Sequence, residues 1–252
     1  MIGDIMGRPG RRAAKGLLPI LRREYDIDLV IANGENAANG RGITGAIVDE
    51  FLDWGVDVIT SGNHIWDQKE IVSHIDTEIP LLRPLNYPEG VPGRGYIVVG
   101  DVLVVNLLGR AFMSAVDCPF RAIDHLLASI PERPKMVFVD LHAEATSEKV
   151  AMGWYLDGRA SVVVGTHTHV PTADARVLPG GTAYVTDVGM VGPFRSVIGV
   201  EIDAVIARFL TQMPHALPVA HDGLISFNSI VVELDDATGK AKSIQRVDRE
   251  WE

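Results

Sequence analysis

One pattern recurs along the chain: a short, mostly apolar run rich in valine and isoleucine is followed at once by small and polar residues. Such runs, without strict alternation of polar and apolar residues, are typical of strands buried on both faces with helices between them. The pattern therefore predicts an α/β fold. The predicted strands of this kind are Asp28–Ala32, Val56–Thr60, Met136–Asp140 and Ser161–Val164.

The segments between these runs are long enough for helices. The first helix is predicted over Arg11–Tyr25, and Pro19 is expected to kink or break it, because proline has no backbone N–H to donate. The other predicted helices are Gly45–Trp54, Gln68–His74, Phe120–Ser129, Glu148–Leu156 and Asp203–Leu210.

The pattern changes towards the C-terminus. Thr182–Thr186, Ile225–Leu234 and Lys242–Val247 are predicted as strands without long helices between them, which favours a second, more antiparallel sheet. Arg83–Gly95, rich in proline and glycine, is expected to join the two halves of the chain. Since no repeat or low-complexity tract divides the sequence, we predict a single domain over residues 1–252.

The charge of the chain narrows its possible partners. The 252 residues include 23 Lys and Arg against 33 Asp and Glu, a formal net charge of −10. This balance disfavours long nucleic acid and anionic membrane surfaces, although it permits a small phosphate ligand beside a metal ion. Cys118 is the single cysteine, and no apolar run reaches the roughly 20 residues of a membrane span. We expect a cytoplasmic protein.

Polar side chains follow the predicted strands at their carboxyl ends, where ligands collect in an open α/β sheet. They are carboxylates, amides and imidazoles, a set that suits Mn, Fe or Zn better than Ca or Mg. The sequence therefore predicts a metal site at this edge. The candidate residues are Asp4, Glu35, Asn36, Asn63, His64, His142, His167 and His169.

The spacing of His167 and His169 points to two ions. In an extended segment alternate side chains share a face, so both imidazoles would enter one cleft and serve ions about 3.5–4 Å apart. Glu35 can bridge such a pair, since a shared carboxylate offsets part of the repulsion between the ions. Asn36 and Asn63 would add oxygen ligands without adding negative charge.

Taken in order, these motifs resemble those of the calcineurin-like metallophosphoesterases, and three of them have variants that resemble the YmdB-like branch in particular. The resemblance covers nearly the whole chain. The general motifs are Gly3-Asp4, Gly34-Glu35-Asn36, Gly62-Asn63-His64, His142 and Gly165-Thr166-His167-Thr168-His169, and the branch motifs are Gly3–Gly10, Gly34-Glu35-Asn36 and Leu141–Lys149.

The resemblance implies two packed mixed β-sheets flanked by helices, a four-layer α/β/β/α sandwich. It also implies two divalent or trivalent ions, Fe or Mn, whose shared hydroxide would attack phosphorus in line while His64 acts as the catalytic imidazole. Met6 replaces a histidine of the broader family, and we expect Asn36 to fill its place. The implied ligands are Asp4, Glu35, Asn36 and His169 for one ion, and Glu35, Asn63, His142 and His167 for the other.

The YmdB-like branch also implies a substrate class, namely cyclic nucleotides such as 2′,3′-cyclic AMP, and a homo-oligomer. Two alternatives remain open: a regulatory metal-binding protein that acts through partners with only residual hydrolysis, and a binuclear hydrolase for a phosphomonoester or a short RNA end. The presence of His64 favours an enzyme, because a pure binding module has no need of an imidazole that is not a ligand.

Several other residues allow two interpretations. Arg8 either contacts phosphate or is a solvated cation of the turn before the first helix, and Glu144 and Glu148 either orient His142 or simply begin a helix. The loop Leu108–Phe120 fits a lid or an oligomer contact equally well. Residues assigned to packing or turns are His74, His125, His215 and His221, and Cys118 is assigned as an inert thiol.

Overall fold

The computed structural model of the protein describes residues 1–132, 134–221 and 223–252. Within these ranges, none of the helices combines the length and apolar character that crossing a bilayer requires. The strands in chain order are β1 (Asp4–Ile5), β2 (Ile31–Asn33), β3 (Val58–Thr60), β4 (Tyr96–Val99), β5 (Val102–Leu108), β6 (Met136–His142), β7 (Val162–Thr166), β8 (Arg176–Val177), β9 (Ala183–Val185), β10 (Met190–Pro193), β11 (Ile225–Phe227), β12 (Ile230–Leu234), β13 (Ala241–Arg246) and β14 (Arg249–Trp251). The α-helices are α1 (Gly7–Glu24), α2 (Gly45–Asp53), α3 (Pro119–Ser129), α4 (Thr146–Tyr155) and α5 (Ile202–Thr211).

The first sheet combines the start of the chain with three strands from its last quarter. Strand β1 pairs in parallel with β10, which continues through antiparallel β11 to β14. The parallel pair β2–β3 joins this sheet through a bridge between Ile2 and Ala32. Helices α1 and α2 cover its outer face, where Leu17, Phe51 and Phe227 belong to one buried cluster.

The second sheet has the order β4–β5–β6–β7–β9–β8. Strands β5, β6, β7 and β9 run in parallel, and β4 and β8 are antiparallel at the edges. Its outer face packs on α3 and α4, with Leu127, Leu141 and Met152 in their common core. The hairpin of β12 and β13 lies beside β8 and β9.

The two sheets face each other across a third apolar cluster, to which Ile31, Phe138 and Val164 contribute. Side chains alternate along a strand, so Phe138, Asp140 and His142 of β6 face the first sheet while Leu141 packs towards the helices. The layers are thus helix, sheet, sheet, helix. The predicted four-layer α/β/β/α arrangement is confirmed.

The predicted C-terminal strands do not form one sheet, although β11, β12, β13 and β14 do pair antiparallel as expected. Ile225–Leu234 is not one strand: it is divided at Asn228 and Ser229, whose side chain and backbone N–H donate to Asp248. The part before the division joins the first sheet as β11, the part after it pairs with β13, and β9 lies parallel to β7 in the second sheet. Each of these strands pairs with a segment far away in the chain. The pattern of residues within a strand does not contain that information, so the sequence could not predict which sheet each strand joins.

Two helix predictions also need correction. Helix α1 begins at Gly7 and continues through Pro19, which lies on the exposed face where water can solvate the carbonyl that proline leaves unpaired. Gln68–His74 is a short 3₁₀ helix over Lys69–Ser73 instead of an α-helix. Arg83–Gly95 does lead from the first sheet into β4, the edge strand of the second.

Candidate metal centre

The carboxyl ends of β2, β3, β6 and β7 meet at one edge of the two facing sheets. Asp4 lies in β1 itself, and His142 is the last residue of β6. The remaining candidates are in the turns that follow: Glu35 and Asn36 after β2, Asn63 and His64 after β3, and His167 and His169 after β7. All the predicted elements therefore deliver their side chains to the same edge.

Glu35 occupies the middle of a continuous series of contacts. Its Oε1 lies 2.9 Å from Nε2 of His142, which lies 2.9 Å from Nδ1 of His167. On the other side the same oxygen lies 3.3 Å from Nδ2 of Asn36, which lies 3.0 Å from Nε2 of His169. Ligand atoms of Glu35, His142 and His167 are all within 4.8 Å of one another, a spacing at which they could hold a metal ion.

Asp4 lies between the two histidine groups. Its Oδ1 is 3.8 Å from Nε2 of His169 and 3.9 Å from Nδ1 of His142, and its Oδ2 accepts the backbone N–H of His167. The residue is fully buried, yet Oδ1 has no hydrogen-bond partner within the described ranges. Burial of an unpartnered carboxylate oxygen is costly, so this atom is placed for a ligand that is not a protein side chain.

Asn63 and His64 complete the cluster from the turn after β3. Oδ1 of Asn63 is a second buried oxygen without a hydrogen-bond partner among the described residues. The backbone N–H of His64 donates to Oε2 of Glu35 over 3.1 Å, while Nδ1 of its ring lies 2.9 Å from Oδ2 of Asp67. The ring of His64 is partly exposed and is held by Asp67 instead of by the ligand cluster.

Gly62 leaves the space in which these groups meet. A Cβ atom built on it would lie 2.1 Å from Cδ2 of His142 and 2.4 Å from Oε2 of Glu35. No side chain fits at such distances, so the glycine of the Gly62-Asn63-His64 motif is required by the approach of the backbone to the two candidate ligands.

The titratable groups of the cluster strongly affect one another's pKa values. Burial raises the pKa of Asp4 above its usual range, against the attraction of His169 and His142. Burial also opposes the charged forms of Glu35 and His142, but the attraction between these two groups prevails. It lowers the pKa of Glu35 and raises the pKa of His142 to about 9. Burial, together with charged His142 nearby, lowers the pKa of His167 to about 3. Buried opposite charges in mutual contact are typical of functional sites.

The His167-x-His169 segment is not extended, which corrects the reasoning from alternating side chains. His167 has φ of 101° and His169 has φ of 65°, both in the left-handed region that non-glycine residues seldom adopt. Thr168 between them is anchored through its N–H and hydroxyl to Asp187, which forms a buried ion pair of 2.6 Å with Lys149. Both rings reach the cluster because the backbone is strained, and the buried pair holds it there.

A second polar cluster behind the site was missed by reasoning from sequence. Asp140, fully buried, accepts hydrogen bonds from the hydroxyls of Thr60 and Thr166 and from the amide of Asn33. Burial raises the pKa of Asp140, although these bonds favour its ionised form. Its position two residues before His142, on the same face of β6, is the signal that could have identified it.

The structure places the three neighbouring residues for which the sequence allowed two interpretations. Glu144 lies 3.3 Å from Nε2 of His167, and Glu148 accepts the backbone N–H groups of Arg110 and Ala111, so neither touches His142. Arg8 is exposed and lines a depression together with Arg12, His221 and Trp251.

With the geometry in place, the chain can be compared with known proteins. A sequence profile of YmdB-like proteins matches residues 1–247. The 2′,3′-cyclic-nucleotide 2′-phosphodiesterase of Bacillus subtilis is 48% identical over 250 residues, which cover 98% of this chain and 94% of that protein. The chain belongs to the YmdB-like family.

Solved structures agree with this assignment. The crystal structure of a Thermus thermophilus protein is 47% identical, with a TM-score of 0.92 over 99% of this YmdB-like chain and 97% of that one. The crystal structure of a phosphatase from Mycoplasma pneumoniae is 34% identical, also with a TM-score of 0.92, over 99% and 92% of the two chains. The predicted family and fold class are confirmed.

The residues of this YmdB-like chain fit bound metal ions. Among the described residues, Asp4 and Asn63 each have a buried oxygen without a hydrogen-bond partner, and that of Asp4 lies 3.9 Å from His142, in the cluster that brings Glu35, His142 and His167 together. A cation satisfies such oxygens and neutralises buried carboxylates, and mixed oxygen and imidazole donors suit transition metals. The site therefore has the donor chemistry of a metal centre.

Proposed function

We propose that this chain is a metal-dependent phosphodiesterase that opens cyclic nucleotides, 2′,3′-cyclic nucleotides above all. The observation that supports it most is the cluster of Glu35, His142 and His167, whose ligand atoms lie within 4.8 Å of one another, beside the buried Oδ1 of Asp4, which has no hydrogen-bond partner among the described residues. The substrate class is proposed from the 48% identity to the protein of Bacillus subtilis that is named for that activity.

Two metal ions, Fe or Mn, would share Glu35. The contacts support this division, because the oxygen of Glu35 that meets Asn36 on one side also meets His142 on the other. Asp4 and His169 adjoin the first group, and His167 adjoins the second. We assign the ligands as Asp4, Glu35, Asn36 and His169 for one ion, and Glu35, Asn63, His142 and His167 for the other.

When bound, two cations lower the pKa of a water that can attack phosphorus and neutralise the charge that builds on the phosphoryl oxygens. The chain itself supplies His64. Asp67 accepts from Nδ1 of His64 and fixes the ring, and in its imidazolium form the ring carries a second hydrogen, on Nε2, which it can donate to the leaving oxygen of the substrate. Such a supported imidazole favours the enzyme over a purely regulatory metal-binding protein.

Three further proposals concern the domain organisation, the cell compartment and the oligomeric state. We propose one domain over residues 1–252, since the two sheets share a single apolar interior. We place it in the cytoplasm, consistent with the one free thiol of Cys118. The homo-oligomer stays a prediction, supported by the exposed apolar side chains of Ile206, Phe209 and Leu210 on α5.

The test compares His64→Ala with wild type after loading with Mn²⁺. Wild type should hydrolyse bis-p-nitrophenyl phosphate and 2′,3′-cyclic AMP. The variant should turn over about 10²–10⁴-fold more slowly, the usual contribution of a general acid, while its metal content stays the same. Initial rates and elemental analysis of the same samples measure both.

His74→Ala is the matched control, because the ring of His74 is exposed and bonds only within its own 3₁₀ helix. It should behave as wild type. Normal turnover in His64→Ala would contradict the role of that residue, and hydrolysis of p-nitrophenyl phosphate alone would contradict the substrate class.

A further inference from the structure

A buried relay of hydrogen bonds lies behind His142. Thr166 is directly opposite His142 in the register of β6 and β7, and its Oγ1 lies 2.9 Å from Nδ1 of that ring. The same Oγ1 lies 2.8 Å from Oδ1 of Asp140. All three side chains are fully buried, so bulk water does not compete for these bonds.

Asn33 fixes the direction of the bonds. Its Oδ1 accepts the backbone N–H of Glu35, so its amide nitrogen faces Asp140 and Thr166, at 3.4 Å from each. An amide nitrogen only donates. Oδ2 of Asp140 also accepts the hydroxyl of Thr60 over 2.6 Å. Asp140 is thus surrounded by donors and acts as the acceptor at the end of the relay.

The hydroxyl of Thr166 has a single hydrogen. Because that hydrogen is donated to Asp140, Oγ1 can only accept from His142, and Nδ1 of His142 must carry a hydrogen. The other ring nitrogen, Nε2, faces Oε1 of Glu35 and Nδ1 of His167 at 2.9 Å each. This is the side of the ring on which the candidate ligands meet.

We propose that Asp140 and Thr166 are positioning residues that keep the hydrogen on Nδ1 of His142, so that metal is bound through Nε2. The inference rests on the proposed function, since it takes His142 as a ligand. A metal-binding histidine commonly donates its other N–H to a carboxylate or carbonyl, and loss of that partner lowers metal affinity or activity about 10–100-fold. Here a threonine hydroxyl connects the ring to the carboxylate.

Thr166→Val tests the relay, because it removes the hydroxyl and nearly preserves the shape of the side chain. We expect the affinity for Zn²⁺, measured by competition with a chromogenic chelator, to fall about 10–100-fold. In Zn²⁺-loaded protein with ¹⁵N-labelled histidine, the Nδ1–H resonance of His142 should be lost to exchange. Thr166→Ser, which keeps the hydroxyl, should restore both.

Thr60→Val is the matched control. Thr60 also ends a strand, is also fully buried and donates to the same carboxylate, but its hydroxyl bonds to Asp140 and not to His142. It should retain the affinity and the Nδ1–H resonance of wild type. An equal loss of affinity in Thr60→Val and Thr166→Val would overturn the relay, since a general loss of packing would then explain both.

The spectrum of wild type tests the proposal even if Thr166→Val does not fold. Zn²⁺ bound through Nδ1 of His142 would overturn the relay and leave the proposed function intact, because the metal would still be held. A wild-type protein that binds none of Zn²⁺, Mn²⁺ and Fe²⁺ would overturn the proposed function itself.

Discussion

The space between the two sheets has two ends of opposite character. At the carboxyl ends of the strands it is filled by buried polar groups in mutual contact, with Glu35, Asp140 and His142 all inaccessible. At the amino ends it holds a cavity of about 420 Å³, lined in its interior by apolar residues such as Leu29, Phe138 and Val232. The same strands build both ends.

The volume of a cavity therefore does not identify the functional site of this molecule. The larger cavity has its acidic groups, Asp28, Glu233 and Asp236 among them, on exposed positions of the lining. At the candidate metal centre the donors converge and shift one another's pKa values. Convergence of titratable groups is the better indicator of chemistry than the size of an opening.

Removal of metal should show the largest functional difference between the two ends. Chelation with excess EDTA should abolish hydrolysis of bis-p-nitrophenyl phosphate, and added Mn²⁺ should restore it, because the converging donors found among the described residues lie at the carboxyl end. Thermal unfolding should also shift to lower temperature, since a ligand at 100 times its Kd stabilises the folded state by about 2.7 kcal/mol. Undiminished turnover in protein shown by elemental analysis to be free of metal would contradict a metal-dependent site.

Lys149→Met should cause the next largest effect, now on stability. It leaves Asp187 buried without its cation behind the strained histidine segment, and breaking such a pair costs about 3–5 kcal/mol. Urea unfolding measures the loss. Arg159→Met removes an ion pair to Asp124 on the surface and serves as the control, with an expected cost of at most about 1 kcal/mol. Equal costs for the two variants would show that the pair beside the site has no special structural role.

The same substitution at both ends should have small effects of opposite sign. Val232→Phe fills part of the cavity and should stabilise the protein by about 0.5–2 kcal/mol with turnover unchanged. Val164→Phe forces a ring into the fully buried interior near the carboxyl end and should destabilise it by about 1–3 kcal/mol. Urea unfolding and initial rates check both. Reduced turnover in Val232→Phe would connect the amino end to the reaction.

Much of the site could be predicted because strand ends can be identified from local sequence. The apolar runs locate the strands, and residues such as Glu35 and His142 then fall at their carboxyl ends. The parallel order of the middle strands follows from the helices between them. These inferences need only the residues within one strand and the turn after it.

The rest depends on contacts that local sequence does not contain. Asp67 supports His64 from a turn, and Asp140 meets Thr60 from the facing sheet, 80 positions away in the chain. The positive φ angles of His167 and His169 are stabilised by groups elsewhere, so an extended backbone was the natural but wrong expectation. The pairing of β11 and β12 with different partners has the same origin.

Gly62 has a consequence for the evolution of the chain. A single methyl group there would overlap the ring of His142 and the carboxylate of Glu35. Even replacement by alanine, the smallest other residue, would therefore cause a steric clash. A stepwise increase in side-chain size is excluded at position 62, whereas the cavity at the amino ends has room for larger side chains on its walls. The absence of one methyl group at position 62 is thus a condition for the meeting of His142 and Glu35.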